Sequence, residues 1–503
     1  MTKASDWQLA LRNLLRNRRR SLSTMLTLAI GLAAILLFGG FKTNINYSML
    51  TAYVRMGGHL QVQHRDYYLY GSGDPTAYGI AGYDRLLAAI RADAALQPLI
   101  EVATPMLRFG GIASHSELGV SRTVIGTGFD PADVNRMRQW NEFSVPIVHP
   151  RFVLEGAPPD AAVVGLGVAR VLQICRPLHV PDCPAPAAAT DGLGAPGPSP
   201  QAAAGPAGGK AGAKPSAKSS AGSPGKAAAP NALPADVAAL ALAEGGARPA
   251  PDNALPRLDL LVSSGRGAPN VAAINVLAAQ DQGFKELDEV SVIVQLGFAQ
   301  RLVFGKAPPR ATALMVQLKH TAAQPVAAAR LRTLLAGFDT GQPLVVRDVE
   351  ELNPFYVQSL RLFDVIFGFI FVLIGGIVLF TVGNTMNAAV VERTVEIGTL
   401  RAIGLRQGGV RRLFVTEGFL LGLAGAVVGS ASAVVIAWIV NHSGLTWLPP
   451  GSSERLPLQL RVLGENAAML ATSLALIAIA TLSAWWPAWR AARLNVVEAL
   501  RHA

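Results

Sequence analysis

The residue types that usually carry out catalysis are scattered along this 503-residue chain and form no catalytic motif. His59 and His64 stand five positions apart in a strand-like stretch, so their side chains should point to opposite faces and share no metal ion. The segments GPAGGKA at Gly205 and GSPGKAA at Gly222 lack the spacing of a phosphate-binding loop and its Ser or Thr after the lysine. We therefore expect no catalytic residues, metal ligands or cofactor in this chain.

Residues 392–404, ERTVEIGTLRAIG, form a charged, helix-compatible stretch directly after a long apolar run. On a helical wheel its apolar residues share one broad side with its charged residues. A helix lying on a membrane needs a clean apolar face, whereas a helix in a groove of another protein can combine apolar anchors with paired charges. The pattern alone leaves both placements open. The candidate docking residues are Glu392, Arg393, Glu396, Ile397, Gly398, Leu400, Arg401, Ile403 and Gly404.

Four apolar runs are long enough to cross a bilayer, which takes about 20 residues. They cover residues 21–41, 365–391, 418–440 and 467–489, and none contains Asp, Glu, Lys or Arg. The first run is longer than a signal-peptide core and is followed by Phe41, Lys42 and Thr43 instead of a cleavage site. We predict four transmembrane helices, at 21–41, 365–391, 413–440 and 467–489.

Arginines cluster before the first run, between the second and third, and after the fourth. With four crossings all three clusters lie on one side, which the positive-inside rule makes the cytoplasm. The predicted fold class is thus a membrane protein of four transmembrane α-helices with a large outer domain between the first two. Both termini are predicted to be cytoplasmic. The cytoplasmic parts are an amphipathic helix at 1–20, the segment 392–412 and the tail 490–503, and the outer parts are residues 42–364 and the short loop 441–466.

The outer region 42–364 has strand-like and helix-like stretches on both sides of a low-complexity insert. Strands are predicted at 59–64, 101–110, 121–128, 311–319 and 343–349, and helices at 83–92 and 322–336. Strand-helix-strand units from two distant segments predict an α+β domain whose halves pack together. The insert 184–256, rich in Ala, Pro, Gly and Lys, is predicted to be disordered because it cannot bury enough apolar surface.

The two cysteines, Cys175 and Cys183, fall in the predicted outer region, where an oxidising compartment permits disulfides. Two states are open for them: a disulfide closing the loop RPLHVPD, or a pair of free thiols.

The formal net charge of +11 would suit nucleic-acid binding in a soluble protein. Here the clustered cations flank membrane runs, where anionic lipid accounts for them, so the predicted partners include membrane lipids and no nucleic acid.

A glycine stripe marks the third apolar run, where Gly418, Gly422, Gly425 and Gly429 recur at spacings of four, three and four. Small residues on one face let two helices approach closely. The neighbouring helix belongs either to the same chain or to a second protomer, and the sequence leaves both open.

The stretch NTMNAAVVERTVEIGTLRAIG at 384–404 resembles the cytoplasmic coupling segment of the MacB/FtsX/LolC-type ABC transporter permeases. FVTEGFLLGLAGAVVG at 414–429 and PAWRAARLNVVEALR at 487–501 resemble the following helix and the ending of this family. GHLQVQHRDY at 58–67 is similar to a strand of the lipoprotein-release permeases, and VIGTGFDP at 124–131 to an outer-domain element of these relatives. The insert at 184–256 departs from the family pattern.

This resemblance implies a permease dimer, homo- or heteromeric, in a bacterial inner membrane. Two copies of a separate cytoplasmic ABC ATPase would bind ATP and Mg and dock on the coupling segment, so this chain would itself be no enzyme. The outer domain would be a MacB-like α+β domain in the periplasm.

Three functions are compatible with the resemblance. The leading hypothesis is mechanotransmission that extracts a lipoprotein or another amphiphile and passes it to a periplasmic carrier. One alternative is MacB-like export of a drug, peptide or toxin through an adaptor and an outer-membrane duct, and another is FtsX-like signalling to a cell-wall hydrolase. For extraction we expect an apolar cavity between protomers, with candidate lining residues Ile35, Phe38, Phe41, Phe367, Phe369 and Phe371.

Overall fold

The computed structural model describes residues 3–146, 151–181, 183, 255–263, 269–283, 285–338, 341–448, 455–463 and 466–494. The predicted disordered insert lies outside the described residues except for its last two, 255 and 256, and the tail after 494 also lies outside them.

The described helices, in chain order, are α1 Lys3–Arg16, α2 Arg18–Gly57, α3 Tyr67–Tyr70, α4 Tyr83–Ala92, α5 Pro131–Gln139, α6 Leu166–Val171, α7 Lys285–Asp288, α8 Leu296–Phe304, α9 Gln324–Ala336, α10 Val349–Leu352, α11 Pro354–Glu392, α12 Thr394–Ala402, α13 Gln407–His442 and α14 Asn466–Ala492. The strands are β1 Leu60–His64, β2 Ile80–Ala81, β3 Ile100–His115, β4 Val120–Phe129, β5 Ala161–Gly165, β6 Arg257–Ser263, β7 Pro269–Gln280, β8 Ser291–Gln295, β9 Arg310–Ala311, β10 Ala313–Leu318, β11 Leu344–Asp348, β12 Thr446–Trp447 and β13 Leu456–Pro457. Short 3-10 turns lie at Pro75–Tyr78, Ser116–Leu118 and Thr321–Ala323.

Four described helices are long and apolar enough to cross a membrane: α2, α11, α13 and the Met469–Ala492 part of α14. They pack around one buried cluster of aliphatic and small side chains, which includes Leu32, Val382 and Phe414. The first two helices, of 40 and 39 residues, far exceed their predicted spans. At 1.5 Å per residue each is about 60 Å long, roughly twice the bilayer core, so each continues as a stalk beyond the apolar run.

The stalks are continuous because no helix-breaking residue interrupts them. Helix α2 ends only at Gly57, where Gly58 takes a positive φ of 76° that suits glycine. Helix α11 begins with Pro354 in its first turn, where the missing N–H breaks no helical hydrogen bond. Residues 354–364, which precede the second apolar run, are therefore the first part of α11.

Between the stalks lies an α+β domain built on one mostly antiparallel nine-stranded sheet in the order β11, β1, β10, β3, β4, β8, β5, β7, β6. The 16-residue β3 belongs to both halves of the sheet. Its first half pairs with β10, and its second half pairs with β4 and also with β6. The β3–β6 pairing closes six strands into a ring around a core that contains Phe109, Val164 and Ile274. This half of the domain is thus a closed barrel, which leaves its strands no free edges.

The other half of the domain is a four-stranded layer of β11, β1, β10 and β3. One face packs against α4 and α9 through a core that includes Leu60, Leu86 and Leu331. The opposite face is covered by α5 and the end of α2. Helix α5 starts where Asp130 accepts hydrogen bonds from the N–H groups of Ala132 and Asp133, so the chain turns back over the sheet at that point.

Several predicted strand boundaries differ from the structure. The predicted strand at 101–110 continues to His115, because the sheet partners of β3 change along its length and extend the pairing. The predicted strand 311–319 is divided at Thr312, whose hydroxyl binds the carbonyl of Met106 at 3.0 Å. Strands β6 and β7 were not predicted, since β6 follows directly on the low-complexity insert and β7 is rich in alanine.

Cys175 and Cys183 are joined by a disulfide, with their Cα atoms 6.1 Å apart. The loop that they close places Leu178 and Val180 against the barrel core. The disulfide therefore keeps this apolar loop packed on the barrel, directly before the insert in the sequence.

His59 lies at the joint between α2 and the sheet and is fully buried. Its Nδ1 accepts a hydrogen bond from the Leu318 N–H at 3.0 Å, so the proton sits on Nε2, which lies 3.2 Å from the Thr321 hydroxyl. The ring also makes an edge contact with Trp140 at 4.9 Å. Burial lowers the pKa of His59 from 6.5 to about 4, although the Glu142 carboxylate opposes that shift.

The chain should lose stability on acidification because of His59. The unfolded state takes up a proton near pH 6.5 and the folded state only near pH 4, so stability falls as pH decreases between these values. At full effect the loss is about 3 kcal/mol, since one pKa unit corresponds to about 1.4 kcal/mol. We expect His59→Asn, which keeps an acceptor for Leu318, to flatten this part of the pH profile in thermal unfolding of the detergent-solubilised chain.

His442→Asn is the matched control, because His442 is exposed at the end of α13. That variant should retain the wild-type pH dependence. An unchanged profile in His59→Asn would show that other groups cause the acid sensitivity.

Candidate functional site

The segment between the second and third membrane helices is two pieces and not the single stretch 392–412 expected from sequence. Helix α11 ends at Glu392, and the nine-residue α12 follows. Gly404 then takes a φ of 105°, which reverses the chain, and α13 already begins at Gln407. The third membrane helix is therefore six residues longer at this end than predicted, because Gly404 and not the charge pattern sets the boundary.

A buried ion pair fixes α12 to the bundle. The Arg393 Nη1 donates to Glu417 Oε1 at 3.0 Å, and both side chains are under a tenth exposed. The Asn13 side-chain amide donates to the same carboxylate oxygen at 2.6 Å, while Arg393 Nη2 donates to the Asn13 carbonyl at 3.0 Å. Three separate elements, α1, α13 and the start of α12, thus meet at one polar centre.

The predicted amphipathic helix α1 therefore packs on the protein and does not only cover the lipid. Ala10 is fully buried and Leu14 packs on the bundle core, whereas Leu11 and Leu15 are 52% and 57% exposed. Trp7 makes an edge contact with Phe419 of α13 at 5.6 Å. Helix α1 thus carries a protein-facing side and an exposed apolar side.

Exposed ion pairs join the charged docking residues to the N-terminal part of the chain. Glu396 pairs with Arg16, and Glu392 pairs with Arg20 at 3.1 Å. Asn17 also donates to Glu392 at 3.3 Å. These pairs are more exposed than the Arg393–Glu417 pair and should contribute little stability individually.

The remaining docking residues divide into buried and exposed sets. Ile397 and Gly398 are buried against the bundle. Leu400 and Ile403 are 40% and 80% exposed. The Arg401 guanidinium binds the carbonyl of Leu494 and so ties α12 to the end of α14. One side of the segment is therefore fixed to the bundle, while two apolar side chains on its other side are exposed.

The glycine stripe of α13 packs against helices of the same chain. A Cβ built on Gly418 would lie 2.5 Å from the Cβ of Ala484, and Gly422 similarly faces α14. A Cβ on Gly425 would lie 2.5 Å from the Cβ of Leu28, and Gly429 also faces α2. The stripe lets α13 approach two neighbours at once.

The six candidate cavity residues do not converge on one surface. Phe38 and Phe367 stack with their ring centroids 6.2 Å apart, and Phe41 contacts Phe363 and Trp447 at 6.5 and 5.5 Å. Ile35 is buried inside the bundle, and Phe369 is 67% exposed. Two positions along α11 turn a side chain by about 200°, so Phe367 and Phe369 face opposite directions. Phe371 is half-buried, one turn after Phe367.

Arg461, in the connection between α13 and α14, is a residue that sequence reasoning missed. Its guanidinium donates to Asn44 Oδ1 and to the Ser144 carbonyl, each at 3.2 Å, and lies 5.4 Å from the Tyr47 ring. Its backbone N–H binds the Gly40 carbonyl at 3.2 Å. Burial lowers the pKa of this guanidinium. Arg461 thus joins the bundle, the α2 stalk and the outer domain; one arginine in a loop gave no sequence signal for this.

A wider aromatic and polar joint surrounds this contact. Trp140 donates from Nε1 to the Lys319 carbonyl at 3.1 Å, and its own carbonyl accepts from Arg55 Nε at 2.6 Å. The Tyr356 hydroxyl of α11 donates to Asn46 Oδ1 of α2 at 2.6 Å. Tyr47 stacks on Phe143 with centroids 4.2 Å apart. Both stalks and the outer domain are therefore held together at one level.

The match to known proteins falls on the membrane bundle. A sequence profile of the FtsX-like permease C-terminal domain covers residues 365–496, which include α12 and its buried ion pair. Residues 365–496 are thus an FtsX-like permease domain. The profile spans the last three membrane helices and the segment between them.

Three curated relatives illustrate the range of similarity of this permease. It is 30% identical over 170 residues to the lipoprotein-releasing system transmembrane protein LolC of Xylella fastidiosa, covering 32% of this chain and 40% of LolC. It is 31% identical over 163 residues to the ABC transporter permease YtrF of Bacillus subtilis, covering 31% and 36% of the two chains. It is 26% identical over 230 residues to the macrolide export ATP-binding/permease protein MacB of Chromobacterium violaceum, covering 45% and 33%. Each match thus spans less than half of the relative.

The Arg393–Glu417 pair should be critical for the stability of this permease. Glu417→Gln leaves a buried arginine without its countercharge, and removal of one partner of such a pair costs about 3–5 kcal/mol. We expect a large decrease in the thermal unfolding temperature of the detergent-solubilised protein. Glu396→Gln is the control, since its pair with Arg16 is exposed and should be worth less than about 1 kcal/mol.

The double variant Arg393→Met/Glu417→Leu should recover most of the loss, because it removes both charges together. If Glu417→Gln and Glu396→Gln have equally small effects, the buried pair does not hold α12.

Proposed function

We propose that this chain is the permease subunit of a mechanotransmission ABC transporter, in which a separate ATPase docks on α12. The main support is the contrast between the buried and the exposed side of that helix. Its inner side is fixed by the buried Arg393–Glu417 pair, while Leu400 and Ile403 are exposed as apolar anchors. Such anchors beside charged residues are typical of a helix that fits a groove on another protein.

The proposal places α12 and both termini in the cytoplasm and the α+β domain in the periplasm, on either side of an inner membrane. The arginine clusters at the α12 end of the bundle support this orientation. The ATPase would be present in two copies and would bind ATP and Mg, since this sequence contains no phosphate-binding loop. A second permease protomer would complete the assembly. The apolar stripe of Val365, Phe369, Val372 and Phe380 on α11, each more than two thirds exposed, offers surface for that protomer and for lipid.

The proposed motion passes along the stalks. A displacement of α12 moves the end of α11, and α11 is one uninterrupted helix from Pro354 to Glu392. At its other end the Tyr356–Asn46 hydrogen bond joins it to α2, and Tyr356 packs in one buried cluster with Trp140 of the outer domain. A rigid rod fixed at both ends transmits a shift that a flexible linker would absorb.

We propose a lipoprotein or a similar amphiphile as the cargo. The similarity to LolC, named as part of a lipoprotein-releasing system, supports this choice over the others. Drawing three acyl chains into water would cost on the order of 30 kcal/mol, at about 0.8 kcal/mol per CH2. An apolar path is therefore required, and the aromatic group of Phe38, Phe41 and Phe367 at the junction of α2 and α11 provides its beginning. A periplasmic carrier would receive the cargo.

The docking surface can be tested by co-purification from membranes in mild detergent, followed by mass spectrometry. The wild-type chain should co-purify with an ABC ATPase and with acylated lipoprotein. Leu400→Asp and Ile403→Asp should insert normally but lose the ATPase at least tenfold, because a buried, unpaired carboxylate replaces an apolar anchor. Gln407→Asp is the control, since it adds the same charge at an exposed polar position beside the segment.

Normal ATPase recovery with Leu400→Asp and Ile403→Asp would contradict docking on α12. An ATPase accompanied by an adaptor and an outer-membrane duct, with no lipoprotein, would contradict the proposed cargo and leave the docking surface intact.

Arg461 should couple the bundle to the outer domain. Arg461→Ala removes two hydrogen bonds worth about 1 kcal/mol each. We expect hydrogen exchange at residues 141–146 to accelerate about tenfold or more, and ATP-driven cargo release to decrease while ATPase binding persists. Arg455→Ala, an exposed arginine of the same connection, should change neither. Equal exchange and release in both variants would show that Arg461 carries no coupling.

A further inference from the structure

Three tryptophans within five residues face outward at the α12 end of the bundle. Trp485, Trp486 and Trp489 of α14 are 51%, 72% and 42% exposed. Their helix packs inward through Ala484, Ala488 and Ala491, which are fully buried. Three large aromatic rings therefore lie on the outer surface of the bundle and not in its core.

Arginines sit on two of these rings. The Arg411 guanidinium carbon lies 5.1 Å from the centre of the Trp485 ring, and that of Arg493 lies 3.8 Å from the centre of the Trp489 ring. These cation–π contacts hold both guanidinium groups in place while leaving their N–H donors directed to other partners.

The acidic residues that the structure describes at this end of the bundle are paired elsewhere. Glu396 pairs with Arg16 of α1, Glu392 with Arg20 of α2, and Glu417 with Arg393, which directly precedes α12. Among the residues that the structure describes, neither Arg411 nor Arg493 forms an ion pair with a carboxylate. The described carboxylates therefore leave the positive charge on the α13–α14 face uncompensated, while on the α1 face they balance part of it.

We infer that Arg411, Arg493, Trp485 and Trp489 form a binding site for the headgroup of an anionic phospholipid. Guanidinium groups bind phosphate oxygens through paired N–H donors, and tryptophan rings settle at the headgroup level of a bilayer. A zwitterionic lipid brings its own cation to balance the phosphate, so a lipid with net negative charge suits this face better. The site is independent of the proposed cargo and of the ATPase docking surface.

Quenching of tryptophan fluorescence by brominated lipid tests the site directly. The full chain is reconstituted in phosphatidylcholine vesicles that contain a minor fraction of brominated phosphatidylglycerol or of brominated phosphatidylcholine. We expect severalfold stronger quenching by the anionic lipid, with the difference decreasing at high salt. Trp485→Phe/Trp489→Phe should remove this excess.

The headgroup contribution is tested by Arg411→Ala/Arg493→Ala, which should abolish the preference for phosphatidylglycerol. Arg18→Ala/Arg19→Ala is the matched control: both residues are exposed cations at the same end of the bundle, on α2, and their loss should leave the preference intact. Both double variants remove two positive charges, so general attraction to the membrane surface cannot distinguish them.

Equal quenching by the two lipids in the wild-type chain would overturn the inference. So would a preference that survives in Arg411→Ala/Arg493→Ala, or one that is lost equally in the α2 control. If Arg411→Ala/Arg493→Ala instead releases the ATPase and leaves the lipid preference unchanged, the face binds protein and the lipid site is wrong.

Discussion

A buried arginine is tolerated only beside a countercharge, and this requirement organises the α12 end of the bundle. Arg393 meets Glu417 and the Asn13 carbonyl in one place, so α12 cannot move without α13 and α1. The same contact orients the helix outward. Ile397 is held against the bundle, while Leu400 and Ile403 are exposed.

A second arginine has the equivalent position at the opposite end of the bundle. Arg461 joins α2, the loop at Ser144 and the backbone at Gly40, as Arg393 joins three elements at its own end. Arginine suits both places because its planar guanidinium offers several donors in fixed directions. The continuous helices α2 and α11, each about 60 Å long, run past both joints, so movements at the two ends are linked by stiff elements.

The outer domain is also built around one shared element. Strand β3 pairs with the four-stranded layer through its first half and closes the six-stranded barrel through its second. The two halves therefore form a single hydrogen-bonded body and cannot slide independently without breaking strand pairing. The disulfide and its apolar loop secure the barrel where the insert departs.

The sequence by itself determined the four long apolar helices, the place of the insert and the charged helical segment between the second and third of these helices. Length, apolarity and the breaks at glycine and proline are local properties, and long uniform runs express them without ambiguity. Strands such as β1 and β11 were recognisable for the same reason, since their alternation is local.

Only the tertiary structure decided which partners these elements take. Arg393 and Glu417 lie 24 positions apart, and Asn13 stands 380 positions before Arg393. The barrel closes because β6, a strand hidden beside the insert, pairs with β3 about 145 positions earlier. The glycine stripe likewise indicated that another helix packs closely against α13. The structure shows that two helices of the same chain, α2 and α14, take this place. Which elements pack together depends on the free energy of burying whole surfaces against each other. A local pattern of residues does not determine that free energy.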